Sequence, residues 1–126
     1  HDALPILYPA CPTGEGALEL GTAAVLTAGV LAKCGASVKP THIVMGPPRA
    51  DGTCPAIGVT ENTVFETTST ATVAETAVGS AVTLAADAQT VTATTTSGVC
   101  KILETDGAAT TSTVRGVFVE PPAAAG

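Results

Sequence analysis

The chain reads as an all-β fold on three observations. From Ala77 to Val119 short runs of Val, Thr, Leu and Ile are broken by Gly, Asp and small-residue turns, the composition that a pleated, half-buried surface selects. Prolines sit where a helix would have to run, at Pro5, Pro9 and Pro12 and again at Pro47 and Pro48, and proline lacks the backbone donor both helix and central strand require. The third observation is a weak self-similarity at an offset of 58 residues, which sets Gly21-Thr22-Ala23-Ala24-Val25-Leu26 over Gly79-Ser80-Ala81-Val82-Thr83-Leu84.

Taken in order, residues 1–16 form an extended, proline-stiffened N-terminal arm. Its apolar members Leu4, Ile6, Leu7 and Tyr8 are unusual for a solvated tail, so the arm is expected to lie across its own domain or a partner's surface. Residues 17–119 form the β domain. Leu18–Leu26 and Val30–Cys34 are two apolar runs joined by Thr27-Ala28-Gly29, which suits a tight hairpin with glycine supplying positive φ. A helix competes there, since Ala and Leu are good helix formers, but Gly21, Gly29 and the β-branched residues weaken it. Thr41–Met45 is the next strand, the loop from Gly46 to Gly52 is a turn or projection, and Cys54–Val59 returns as strand. Residues 60–76, rich in Thr and Glu around Val64-Phe65, read as either a strand or a connector.

The second half predicts strands at Val78–Leu84, Gln89–Ala93, Gly98–Glu104 and Val114–Val119, and residues 120–126 a loosely held tail. The offset of 58 also sets His42-Ile43-Val44-Met45 over Cys100-Lys101-Ile102-Leu103, without a gap. The two pseudo-repeated units are therefore 17–59 and 75–117.

Composition bounds the function. Hydrophobic residues make up 45% of the 126, yet the aromatics are only Tyr8, Phe65 and Phe118. A core of Ala, Val and Leu buries less apolar area per residue than one with rings, at ~25 cal/mol per Å², so the fold gains from neighbours. Five basic residues stand singly against eleven acidic ones, for a net charge of −6, which argues against nucleic acid, whose phosphates need clustered Lys and Arg. No stretch approaches the ~20 apolar residues that span a bilayer, and no membrane partner is expected. Cys11, Cys34, Cys54 and Cys100 have no C-x-x-C pair and no close His, so a zinc site is not expected. They read as buried thiols in a reducing cytoplasm, and as one of three pairings in an oxidising compartment.

No catalytic, metal or cofactor site emerges. His42, inside a strand, is the one non-terminal base, and it reads as a packed or half-exposed side chain. Carboxylate pairs could be drawn from Glu61, Glu104 and Asp106, but the aromatic platform of a sugar cleft is missing. Phosphate-cradling loops do not match at Gly14-Glu15-Gly16, and Asp51, Asp87 and Asp106 sit singly in turns.

Across Val78–Val119 the pattern resembles the small β domain of tailed-bacteriophage capsid decoration, or head cement, proteins. It has a glycine-led strand (Val78-Gly79-Ser80-Ala81-Val82-Thr83-Leu84) and a second at Gln89–Ala93. A "GV" strand follows (Gly98-Val99-Cys100-Lys101-Ile102-Leu103-Glu104), then an Asp106-Gly107 turn and a closing Val114-Arg115-Gly116-Val117-Phe118-Val119. Ala17–Val59 resembles the same layout more loosely. The apparent doubling, the four cysteines and Pro47-Pro48 depart from it. The resemblance implies a β-tulip-like or barrel domain on the capsid exterior of a virion, assembled in the bacterial cytoplasm. It further implies the major capsid protein as partner, homo-oligomers with a trimer favoured, no enzyme activity, and a capsid-binding arm at Leu4, Pro5, Ile6, Leu7, Tyr8 and Pro9. The same Thr-rich strands also suit a secreted or cell-surface adhesion or pilus-like module, or a head-fibre or tail component.

Overall fold

In the computed structural model, which describes residues 6–12 and 18–121, the chain is all-β and divides into two compact units. The first takes residues up to Cys34 and from Pro40 to Thr60; the second takes Gly35–Lys39 and everything from Glu61.

The first unit holds β1 (Ile6–Leu7), β2 (Ala23–Thr27), β3 (Val30–Lys33), β4 (His42–Val44) and β5 (Ala56–Gly58), in the order β1-β5-β4-β2-β3 with every neighbour antiparallel. The expected hairpin is there: Thr27 pairs with Val30 across Ala28 (φ 53°) and Gly29 (φ 84°). Two successive positive φ values make the mirror-image turn whose twist matches that of the strands it joins. At the head of β2, Gly21 (φ 88°) donates its N–H to the Val44 carbonyl at 2.7 Å, and Val44 returns a bond to the Thr22 carbonyl at 2.9 Å. Beyond β1 the chain stays in the sheet. Ala10 bridges Val30 in parallel and Thr53 in antiparallel fashion, and its carbonyl accepts the Leu31 N–H at 2.8 Å, so the two ends of the strand order meet. The closed sheet surrounds Cys11, Leu18, Ala24, Leu31, Val44, Cys54 and Ala56.

The second unit holds β6 (Val64–Thr68), one 3₁₀ turn (Glu75–Ala77), β7 (Ala81–Val82), β8 (Cys100–Thr105) and β9 (Thr113–Phe118), in the order β6-β9-β8-β7. Burial alternates along β9 as a two-residue period demands: Val114, Gly116 and Phe118 face in, Thr113 and Arg115 out. Gly79 (φ 93°) donates to the Ile102 carbonyl at 2.8 Å, and Ile102 to the Ser80 carbonyl at 2.9 Å. The ends of this order also approach through one residue: Val91, fully buried, bridges Ser69 in parallel and Leu84 in antiparallel fashion. The interior is Val73, Val82, Leu84, Val91, Val99, Cys100, Ile102, Val114 and Phe118. Its polar members are satisfied: Ser112 Oγ accepts the Val73 N–H and donates to the Ala108 carbonyl, while Ser69 Oγ accepts the Ser112 N–H.

Several expectations shift in detail. Within the expected arm, residues 6–11 contribute backbone to the first sheet. Residues 60–76, left between strand and connector, supply β6, the first strand of the second unit. Gln89–Ala93 pairs only through the two isolated bridges of Val91 instead of forming a strand, because the Asp87 turn and Ala88 (φ 55°) precede it and Thr92 Oγ1 accepts the Thr94 N–H just after Val91. Val78–Leu84 shortens to the two residues of β7.

Candidate functional site

Three of the six residues expected to meet a partner are strongly exposed: Ile6 (51%), Leu7 (43%) and Tyr8 (53%). Pro9 is half-buried, and Leu4 and Pro5 lie outside the described residues. Successive side chains of a strand point to opposite faces, so exposure of both Ile6 and Leu7 means that neither face of β1 is covered. Yet the backbone here is held. Ile6 pairs with Ile57 and Leu7 with Ala56, the Pro9 carbonyl accepts the Cys54 N–H at 3.1 Å, and Cys11 donates to the Gly52 carbonyl at 3.0 Å. What this stretch offers outward is side chains, since much of its main chain is already bonded within its own unit.

The neighbouring turn supplies a residue that spacing along the chain did not reveal. The Arg49 carbonyl accepts the Gly52 N–H at 3.0 Å and Arg49 donates to the Thr53 carbonyl at 2.6 Å, with Gly52 at φ 85°. Asp51 Oδ1 ties the same turn by accepting the Thr53 N–H and hydroxyl at 3.0 and 2.6 Å. The turn holds the Arg49 guanidinium 4.8 Å from the centre of the Tyr8 ring, a cation–π contact worth ~0.5–1 kcal/mol at an exposed site. The outward surface is thus two aliphatic side chains and one ring carrying a cation. Only the Pro-Pro-Arg composition of the loop hinted at it.

The carboxylates singled out from the sequence serve as turn acceptors or surface partners. Asp87 Oδ1 accepts the Gln89 and Thr90 N–H groups, and Asp106 Oδ1 those of Ala108 and Thr113, all at 2.9 or 3.0 Å. These bonds hold both carboxyls below the usual aspartate range, with Gln89 the largest influence on Asp87 and Ala108 on Asp106. A carboxylate so held is a poor general acid at neutral pH. Glu104 and Asp106 do share one open depression of about 480 Å³ on the second unit, with Glu66, Thr105, Thr113 and Arg115. There Arg115 lies between two cross-strand glutamates, its Nε 3.4 Å from Glu66 and its Nη1 3.9 Å from Glu104, and all three side chains are more than half exposed. Such pairs contribute little. Among the described residues no three His, Cys, Asp or Glu side chains converge to hold a metal ion, and no helix is long and apolar enough to cross a membrane.

His42 is packed, as its position in a strand implied: it is 8% exposed and its Nδ1 is 2.8 Å from Thr41 Oγ1. Burial lowers its pKa below 6.5. The unfolded chain therefore takes up this proton first on acidification, and stability falls as pH drops from about 6.5 through the lower folded value. Asp51, Asp87 and Asp106 have the same sign in a lower window, since their stabilisation is present above 3.8 and is lost as pH falls through their depressed values. Urea midpoints are thus expected to be lower at pH 5.5 than at pH 7.5, with that difference reduced in His42→Gln.

With this geometry in view, the chain was compared with known proteins, and no family model, curated protein or solved structure matches it. Fold and site together define a small all-β protein of two antiparallel sheets with an outward apolar cluster on the first.

Proposed function

We propose that the chain is a structural virion protein that binds the outer surface of a phage capsid and stabilises the shell. The observation that carries this is the cluster Ile6, Leu7 and Tyr8: apolar side chains exposed on a backbone already bonded to β5 and to residues 52–54. Side chains so placed bind with little further ordering of the main chain, and ordering is a major cost of association. The contact would be side-chain burial against the major capsid protein, multiplied over many symmetric copies.

A recurrence of backbone bonds at the 58-residue offset supports the reading of two pseudo-repeated units. The bonds Gly21 to Val44 and Val44 to Thr22 recur 58 residues on as Gly79 to Ile102 and Ile102 to Ser80. The pairing Ala23↔Ile43 recurs as Ala81↔Lys101. A doubled small β module, non-enzymatic and acidic outside, suits a lattice binder that forms homo-oligomers, a trimer being the favoured state.

The test is co-sedimentation with decoration-free capsids of the phage encoding the chain. Wild type is expected to bind, and the triple variant Ile6→Ser, Leu7→Ser, Tyr8→Ser to bind at least tenfold more weakly, about 1.4 kcal/mol, while keeping the wild-type circular dichroism spectrum. Full binding by the variant would remove the Ile6–Tyr8 cluster from the interface, and no binding by wild type would overturn the capsid reading.

A further inference from the structure

Two of the four cysteines stand together. Ala10 and Thr53 face each other as an antiparallel bridge, with the Cys11 N–H on the Gly52 carbonyl at 3.0 Å and the Cys54 N–H on the Pro9 carbonyl at 3.1 Å. In that register Cys11 lies opposite Gly52. Side chains two residues apart on a strand share a face, so Cys11 and Cys54 are diagonal neighbours on one face of the paired strands. Both belong to the buried cluster of the first unit, at 8% and 0% exposure, and both are free thiols. The Cys11 thiol lies near enough to Cys54 to help raise its pKa.

We propose that Cys11 and Cys54 are a disulfide-forming pair, which on oxidation fastens the segment carrying Ile6, Leu7 and Tyr8 to the turn carrying Arg49. The reaction is thiol–disulfide exchange with a small disulfide of the glutathione type. Two protein S–H bonds break and one protein S–S bond forms, while the donor's S–S bond takes up the two electrons and two protons and leaves as two thiols. Burial, together with the neighbouring thiol, pushes the Cys54 pKa up to about 12, so in the folded chain the attacking thiolate is scarce and exchange is slow. The bond is therefore expected to form during folding, before Cys11 and Cys54 are buried. Cys34 is held apart from this chemistry by its own position after β3, where burial raises its thiol to about 11. The inference rests on the register of the first unit and is independent of the capsid reading.

The whole chain, denatured and refolded in a buffer of oxidised and reduced glutathione, then alkylated and digested with trypsin and a glutamyl protease, delivers each cysteine on its own peptide. The expected product is one cross-linked species joining the Cys11 and Cys54 peptides, with Cys34 and Cys100 alkylated. Alkylation of both Cys11 and Cys54, or their appearance in other pairings, overturns the proposal. The cross-link closes a long loop, so adding reductant is expected to lower the thermal midpoint by about 10 °C. Cys34→Ala should keep that dependence and Cys11→Ala/Cys54→Ala should lose it; should the double variant not fold, the peptide map of the wild-type chain decides.

Discussion

Gly98→Ala is expected to destabilise the chain by about 3 kcal/mol or more, beyond the upper end of ordinary overpacking. A Cβ at this position would stand 2.1 Å from the Ala81 carbonyl oxygen, 2.3 Å from its carbon and 2.6 Å from the Val82 nitrogen. All three atoms are backbone, so no rotamer change relieves the contact. The strand they belong to, β7, has only two paired residues, Ala81 with Lys101 and Val82 with Cys100, and Val99 adds one bond to the Val82 carbonyl at 3.0 Å. Relief requires β7 to leave β8, which uncovers Val82 and Leu84. Thermal denaturation should show a midpoint lower by roughly 10 °C or more. Gly58→Ala is the control: its Cβ meets nothing within 4 Å, and its midpoint should stay close to wild type. Equal midpoints for the two variants would contradict the close approach of β7 to the 98–99 turn.

Phe118→Ala is expected to cost about 3–5 kcal/mol, the range for removing a buried ring. Phe118 is 4% exposed at the end of β9, and its ring stacks on Phe65 with centroids 4.7 Å apart and planes 28° from parallel. These are the only two phenylalanines, and the other buried apolar side chains of the second unit are Val, Leu, Ile, Ala and Cys, each smaller than a phenylalanine side chain. Phe65 sits over Gly116, which its register pairs with it. A Cβ at Gly116 would stand 2.3 Å from the Lys101 carbonyl oxygen and 2.9 Å from the Phe65 ring. Urea denaturation followed by circular dichroism should place Phe118→Leu between wild type and Phe118→Ala; an alanine variant within 1 kcal/mol of wild type would show that the stack is dispensable.

Much of the fold was legible where the physics is local. Positive φ at Gly29 and the apolar runs around it specify the β2–β3 hairpin, and period-two burial specifies β9. Asp51, Asp87 and Asp106 each bond the backbone two residues on, a turn chemistry readable one residue type at a time. Burial of all four cysteines follows from their apolar character. The shift in β8, where the register slips between Ile102 and Glu104 and leaves Leu103 exposed, has no local signature.

What the sequence settled about this protein is its fold class: β-branched runs, proline and glycine punctuation and scattered charge specify a small all-β chain. Tertiary structure alone decided which distant residues became neighbours. Glu66 found Arg115, Ala10 found Val30 and Thr53, Tyr8 found Arg49, and Cys11 found Cys54. Each of these contacts is set by sheet register and closure, which depend on the summed pairing of whole strands. No single stretch of the chain carries that information, because a slip of one residue would turn every side chain to the opposite face without altering any local propensity.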